Sequence, residues 1–261
     1  MKDMEKLSIV KIGGNIVEQE EALNRFTKSF AHLEGRKILV HGGGKIASKL
    51  AGDLGIEAKM VNGRRITDLE TLKVVTMVYA GLANKNIVAL LQANHCDAIG
   101  LSGADGDTIR TVKRPVKTID YGFAGDMTPT SIHTKRIQSL LELNLFPVFS
   151  AITHNGEGQL LNTNADTIAS ALAIGLASSY AVSLIYCFEK KGVLSDIADD
   201  HSVITEIDQT KYTALREQGI IADGMIPKLD NAFDAIAQGV KKVIIKHADD
   251  LADEHAGTTI F

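Results

Sequence analysis

Lys11 interrupts an otherwise apolar run, Leu7 to Ile12, and stands directly before Gly13-Gly14. An ammonium group there is costly to bury unless an anion meets it; the alternative is a strand-end lysine reaching out to water. A second glycine turn, Gly42-Gly43-Gly44, follows the apolar stretch Lys37 to Val40 and His41. Both turns lead into helical sequence, so bare backbone N–H groups and helix N-termini would offer a seat for an anion of phosphate size. Either turn alone is also a plain strand-to-helix closure. Arg64 and Arg65, after Asn62-Gly63, could clamp a carboxylate in bidentate fashion or stand in water on a turn. Asp166, in Asn162-Thr-Asn-Ala-Asp166, falls in the first turn of a small-residue helix, where capping alone would account for it. Lys228, in Asp223-Gly-Met-Ile-Pro-Lys228, sits in the first turn of a helix against the macrodipole, which calls for negative charge close by.

Other chemistries fit less well. Gly42-x-Gly44-x-x-Ala47 matches the dinucleotide fingerprint, but the basic segment Lys59 to Arg65 occupies the place where an acid is wanted. Gly44-Lys45-Ile46 lacks the spacing of a Walker A loop. His41-Gly-Gly-Gly44 is like the oxyanion loop of esterases, yet no Gly-x-Ser-x-Gly elbow supplies a nucleophile. The eight histidines form no His-Glu-x-x-His cluster, and Asp105-Gly-Asp107 reads as a turn former before a Mg²⁺ site, so no protein-built metal site is expected.

The elements that must position these residues follow from periodicity. Leu7 to Ile12 predicts a strand and Glu18 to Leu33 a helix; Lys37 to Val40 and Lys45 to Leu54 repeat the unit. Two βα units in succession imply a parallel sheet. Asp68 N-caps a long helix reaching Asn94, its apolar stripe interrupted by Gly81. Gly103 to Asp107 predicts a loop, Thr108 to Asp126 an irregular hairpin, Thr134 to Leu143 a helix, Phe146 to Ile152 a strand, and Gly156 and Gly158 a second hairpin. Helices Ala165 to Leu176, Asp208 to Gln218 and Pro227 to Gln238 alternate with strands Ala181 to Tyr186 and Lys242 to Ile245.

The chain has 261 residues, 45% hydrophobic and 23% charged, which suits one α/β domain or two lobes sharing a sheet, divided near residue 175. A net charge of −4 gives no general reason to bind nucleic acid or an anionic membrane. Cys96 and Cys187 stand alone, matching a reducing cytosol, and no run is expected to reach the roughly 20 apolar residues of a membrane span. A cytoplasmic protein is expected.

Lys11-Ile-Gly-Gly14, His41-Gly-Gly-Gly44, Asn62-Gly-Arg-Arg-Ile-Thr67, Asn162-Thr-Asn-Ala-Asp166 and Asp223-Gly-Met-Ile-Pro-Lys228, in this order over nearly the whole chain, resemble the amino acid kinase family. The likeness is greatest to its branch that phosphorylates N-acetyl-L-glutamate in arginine biosynthesis. The resemblance implies a three-layer α/β/α sandwich with a mostly parallel central sheet, residues 1–175 binding the acyl amino acid and residues 176–261 the nucleotide. It implies transfer of the γ-phosphoryl of ATP, with Mg²⁺ carried by the nucleotide, to the side-chain carboxylate. It also assigns roles: Lys11 and Lys228 reach the phosphoryl from acceptor and nucleotide sides, and Asp166 holds both ammonium groups. Gly14, Gly43 and Gly44 offer N–H donors, Arg65 and Asn162 bind the α-carboxylate and its neighbours, and Glu189, Lys190, Lys191, Gly192, Val193, Leu194, Ile220, Ile221 and Ala222 contact the nucleotide.

Many relatives carry Ser/Thr-Asp-Val-x-Gly where this chain has Phe188-Glu-Lys-Lys-Gly192, which keeps a non-catalytic nucleotide or amino-acid sensor as an alternative. An N-succinyl substrate is a second alternative; its extra carboxylate would need a cation such as Arg64 or Lys117. Arginine-inhibited relatives have a helix ahead of the first strand, whereas only Met1 to Lys6 precede Leu7 here. The expectation is a homodimer with the Asp68 to Asn94 helix in its interface, and no strong arginine feedback.

Overall fold

The computed structural model describes residues 4–61, 63–221 and 225–261. Strand β1 (Lys6–Ile12) alternates side chains between two buried faces. Leu7 and Ile9 enter one apolar core while Val10 and Ile12 enter a second on the other side of the sheet. Lys11 therefore projects on the Leu7 and Ile9 side, by the period of two that governs any strand.

The expected first helix is two: α1 (Gly14–Glu18) and α2 (Glu20–His32), separated at Gln19, whose backbone is extended. Strand β2 (Arg36–His41) and helix α3 (Gly44–Asp53) complete the second unit. A short hairpin, β3 (Met60–Val61) with β4 (Arg64–Arg65), turns through Gly63 at φ 72°, a left-handed conformation that suits glycine. Helix α4 (Leu69–Thr76) is capped as expected, the Asp68 carboxylate accepting from the Thr71 N–H at 2.8 Å. It continues through a π-helical stretch, Met77–Ala83, into α5 (Asn84–Ala93).

These segments form one helix of 25 residues that is long and apolar enough to cross a membrane by length and composition, contrary to the expectation from sequence. Its packing makes it a core helix: Leu72, Val75 and Val78 bury in one core, Ile87 and Leu91 in the other. Strand β5 (Ala98–Leu101), β6 (Val112–Lys113) and β7 (Ala124–Asp126) follow, then α6 (Thr134–Glu142), β8 (Phe146–Ser150), β9 (Ile152–His154) and β10 (Leu160–Thr163). The chain ends with α7 (Ala165–Leu176), β11 (Ala181–Phe188), β12 (Glu206–Ile207), α8 (Gln209–Glu217), α9 (Ile226–Ala237), β13 (Lys242–His247) and β14 (Thr258–Ile260).

Eight strands form the central sheet in the order β12-β14-β13-β11-β1-β2-β8-β5. All pairs are parallel except β13 with β14. Helices cover both faces, with α7 and α9 in the core on the Lys11 side and α2 and α5 in the other, giving a three-layer α/β/α sandwich. The two expected hairpins merge into a second sheet, β6-β7-β10-β9, because β10 pairs in parallel with β7. The carboxyl ends of β1, β2 and β11 thus meet at mid-sheet, where parallel α/β proteins place ligands.

Candidate active site

The two glycine turns abut. A Cβ on Gly14 would lie 3.7 Å from the Gly44 nitrogen, and one on Gly43 would lie 2.9 Å from Cδ1 of Tyr79, so the second turn is pressed against the π-helical stretch and only glycine fits there. The N–H groups of Gly14, Gly43 and Gly44 have no acceptor among the described residues.

Lys11 is buried, and its Nζ lies 2.7 Å from Oδ1 of Asp166 at the start of α7. Asp166 is not the cap of that helix, since Oδ1 of Asn164 accepts from the Thr167 N–H at 3.0 Å. Its carboxylate is therefore free to pair with the lysine. Lys228, in the first turn of α9, stands with Nζ 3.6 Å from the centroid of the Phe188 ring, and Lys11 Nζ lies 5.4 Å from the same ring. Burial pushes the Lys228 ammonium pKa down, Asp166 opposes the shift, and Lys11 adds to it. The electron-rich ring face offsets part of that desolvation. Phe188 in turn stacks on Tyr186 at 6.1 Å.

Two cavities meet here. The larger, about 720 Å³, is lined by Lys11, Gly13, Gly14, Lys45, Phe188 and Lys228, and extends to Glu189, Lys190 and Gly192. The smaller, about 210 Å³, is lined by Gly42, Gly43, Arg64, Tyr79, Asn162 and Asn164. Gly44, Met60 and Arg65 belong to both walls. Arg65 is buried; its Nη2 donates to the Gly44 carbonyl at 2.9 Å and to Oγ of Ser48 at 2.8 Å, while Nη1 has no partner among the described residues. Asn162 donates to Oγ1 of Thr67 at 3.0 Å, which ties β10 to the arginine hairpin.

The segment expected to contact the nucleotide is divided. Glu189, Lys190 and Gly192 line the larger cavity, with Lys190 paired to Asp200 at 2.8 Å. Lys191 is exposed and off that wall, whereas Val193, Leu194 and Ile221 are buried and Ile220 half-buried, none of them on the wall. Apolar residues flanking a strand end go to the core before they go to a ligand. Ala222, Asp223, Gly224 and Asn62 lie outside the described residues. Lys117 is exposed and away from both cavities, while Arg64 is on the smaller one. Ser48, Met60 and Phe188 are additions that sequence spacing did not single out as site residues; Ser48 had one signal, its place a helical turn after Gly44.

Asp105 and Asp107 form turns. Asp105 accepts from the Ser102 N–H and hydroxyl at 2.6 and 2.7 Å, and Asp107 lies within 2.8 Å of Arg110, 2.9 Å of Arg136 and 2.9 Å of His154. Among the described residues no three His, Cys, Asp or Glu side chains are grouped to hold a metal ion.

His41 is fully buried beside the second turn. Burial pushes its pKa down from 6.5 to about 4, with the Gly42 hydrogen bond opposing and Lys85 adding to the shift. The folded value lies below the unfolded one, so this group's contribution is complete above pH 6.5 and is lost as pH falls toward 4. That loss amounts to about 3 kcal/mol. Urea unfolding at pH 7 and pH 4.5 is expected to show a smaller acid loss in His41→Asn than in the wild type; equal losses would remove His41 from the account.

The fold and the paired cavities define a class. The chain belongs to the amino acid kinase family, whose model matches residues 6–247. It is 56% identical to an acetylglutamate kinase of Phocaeicola vulgatus over 98% of both chains, and 55% identical to an acetylglutamate kinase of Cytophaga hutchinsonii over 96% of this chain and 94% of that one. Among solved structures, a protein of Streptococcus mutans UA159 is 27% identical with a TM-score of 0.76, over 97% of this chain and 98% of that one.

Proposed function

We propose that the chain is an ATP-dependent phosphotransferase that phosphorylates the side-chain carboxylate of N-acetyl-L-glutamate, as a step of arginine biosynthesis. The observation that carries this reading is the pair of cavities sharing Gly44, Met60 and Arg65, with Lys11 and Lys228 on the wall of the larger. Two anions must be brought end to end, and phosphoryl transfer needs little from the protein beyond that alignment and neutralisation of the charge on the equatorial oxygens.

In this reading the nucleotide takes the larger cavity, against Glu189, Lys190 and Gly192. The acceptor takes the smaller, its α-carboxylate on the unpartnered Nη1 of Arg65 and its neighbouring polar atoms on Asn162. The acceptor carboxylate is already ionised at neutral pH, so no general base is required. An oxygen of that carboxylate attacks the γ-phosphorus, the bond to the ADP oxygen breaks, and acyl phosphate and ADP leave. Lys11 and Lys228 neutralise the phosphoryl oxygens, Asp166 keeps Lys11 in place, and the Gly14, Gly43 and Gly44 N–H groups supply fixed dipoles. The lysine-rich chamber is not a metal donor set, so Mg²⁺ enters as part of the nucleotide substrate, on its phosphate oxygens. The division near residue 175 goes with these roles.

Arg64, beside Arg65 on the smaller cavity, favours a second reading in which the acyl group is succinyl and its terminal carboxylate meets Arg64. Incubation with MgATP and hydroxylamine traps acyl phosphates as coloured hydroxamates. Strong signal with N-acetyl-L-glutamate is the expected result; signal with N-succinyl-L-glutamate alone selects the second reading, and silence with both defeats the phosphotransfer reading.

Leu69, Met77 and Leu82 are exposed along the long helix. A homodimer built on that face, and a cytoplasmic location in keeping with small anionic substrates, belong to the same proposal. Light scattering on the eluting protein is expected to give twice the chain mass; a monomer or hexamer would contradict it.

A further inference from the structure

His41 has none of the roles above, yet it touches the glycine turn directly. Its Nδ1 lies 2.7 Å from the Gly42 carbonyl oxygen and its Nε2 lies 3.0 Å from Nδ2 of Asn84, the first residue of α5. A carbonyl oxygen can only accept, so Nδ1 carries the proton and Nε2 accepts from the Asn84 amide. The amide's orientation is itself fixed, because Asn84 Nδ2 also donates to the Val148 carbonyl at 2.9 Å while Oδ1 accepts from Nζ of Lys85 at 3.1 Å. Asn84 and His41 are both fully buried, so these partners are not exchanged with water.

The carbonyl held by His41 belongs to the peptide whose other end is the Gly43 N–H. A trans peptide is planar, with C=O and N–H pointing in opposite directions, so holding the Gly42 oxygen sets the direction of the Gly43 hydrogen. That N–H has no acceptor among the described residues, and Gly42, Gly43 and Gly44 line the smaller cavity. A run of three glycines has no side chain to restrict its own rotation, so its geometry must be imposed from outside. The long helix imposes it from two positions, Tyr79 against Gly43 and Asn84 against His41. The π-helical stretch accounts for the pairing: its i→i+5 bonding brings residues five apart onto one face, whereas α-helical spacing would separate them.

We propose that His41 is a positioning residue for phosphoryl transfer, aiming the Gly43 N–H into the acceptor cavity through the Gly42–Gly43 peptide, with Asn84 holding the tautomer that makes this possible. The assignment rests on the phosphotransfer reading of that cavity.

The test uses the full chain, with kcat and both KM values from hydroxamate formation in His41→Leu, His41→Asn and Asn84→Ala. His41→Leu is expected to lose about 100-fold in kcat with both KM values within about threefold, the scale of one lost oxyanion donor. His41→Asn, whose amide nitrogen can donate to the Gly42 oxygen in place of Nδ1, is expected to recover to within about tenfold of wild type, and Asn84→Ala to fall about tenfold. A folded His41→Leu with kcat within twofold of wild type overturns the proposal, as does His41→Asn no better than His41→Leu. If His41→Leu does not fold, the kinetics of His41→Asn and Asn84→Ala decide: Asn84→Ala at wild-type kcat overturns it. If the wild type itself is silent with both acceptors, the phosphotransfer reading fails separately. ¹⁵N-glycine spectra then judge the clamp alone, since a Gly43 amide resonance unmoved between wild type and Asn84→Ala means that no such clamp exists.

Discussion

Lys228→Met is expected to lower kcat for acyl phosphate formation by about 10²- to 10³-fold with the melting temperature within a few degrees of wild type. The rate effect follows from removing one preorganised cationic donor from the place where charge builds, worth about 3–4 kcal/mol. Stability should hold because nothing buried loses its counter-ion. Among the described residues no carboxylate lies within ion-pair distance of Lys228, and Asp166 keeps Lys11 at 2.7 Å. Methionine retains most of the stem and can still pack on the Phe188 ring. Steady-state kinetics and a thermal melt check both halves. A folded variant with kcat within fivefold of wild type would sink the role given to Lys228, and a non-catalytic sensor would show ligand binding little changed.

Arg65→Met is expected to raise KM for the acylated glutamate by about 10- to 100-fold, with KM for MgATP changed far less. A charge-assisted hydrogen bond to a carboxylate is worth roughly 1.5–3 kcal/mol, and each 1.4 kcal/mol is about tenfold. The asymmetry between substrates comes from the guanidinium's division of labour. Nη2 is spent on the Gly44 carbonyl and Ser48, leaving Nη1 buried and, among the described residues, unpartnered for an anion. Arg65→Lys should fall between, since a single ammonium cannot serve the turn and the anion with fork geometry. If KM for MgATP rises instead, Arg65 belongs to the nucleotide.

The parts of the fold that show in the sequence are those where pattern and punctuation lie close together. β1 with its glycine turn, β2 with its own, and the Asp68-capped helix each combine an apolar period with a boundary residue. β5 does not show in the sequence because Gly100 interrupts a four-residue strand, nor does β14, whose three residues with two threonines carry no period. The break at Gln19 and the π-helical stretch were hidden for the opposite reason: their apolar residues continue a helical rhythm across the irregularity. Of the site, charges in costly places were visible one at a time. That Asp166 answers Lys11 is a fact of topology, set by α7 packing beside β1, and no local spacing encodes it. Val193, Leu194 and Ile221 show the converse, apolar residues next to the wall of the larger cavity that the core claims.

The pairing of β1 with β11 bears on how the molecule comes to exist. Lys6 lies opposite Ala181 and Ile12 opposite Cys187, so the strand at mid-sheet lacks one neighbour until most of the chain has been synthesised. β1 can zip to β2 early, since that partner is near in sequence, but its other edge stays open. Long-range parallel pairings form slowly, and open strand edges invite self-association while they wait. The same late closure brings Phe188 up to Lys11, and Lys228 follows later still on α9, so the two lysines meet over the Phe188 ring only after β11 has joined the sheet. Nascent chains ending before residue 181 should be the aggregation-prone species, and a chaperone that shields the exposed edge of β1 should raise the yield of active protein more than one acting after release.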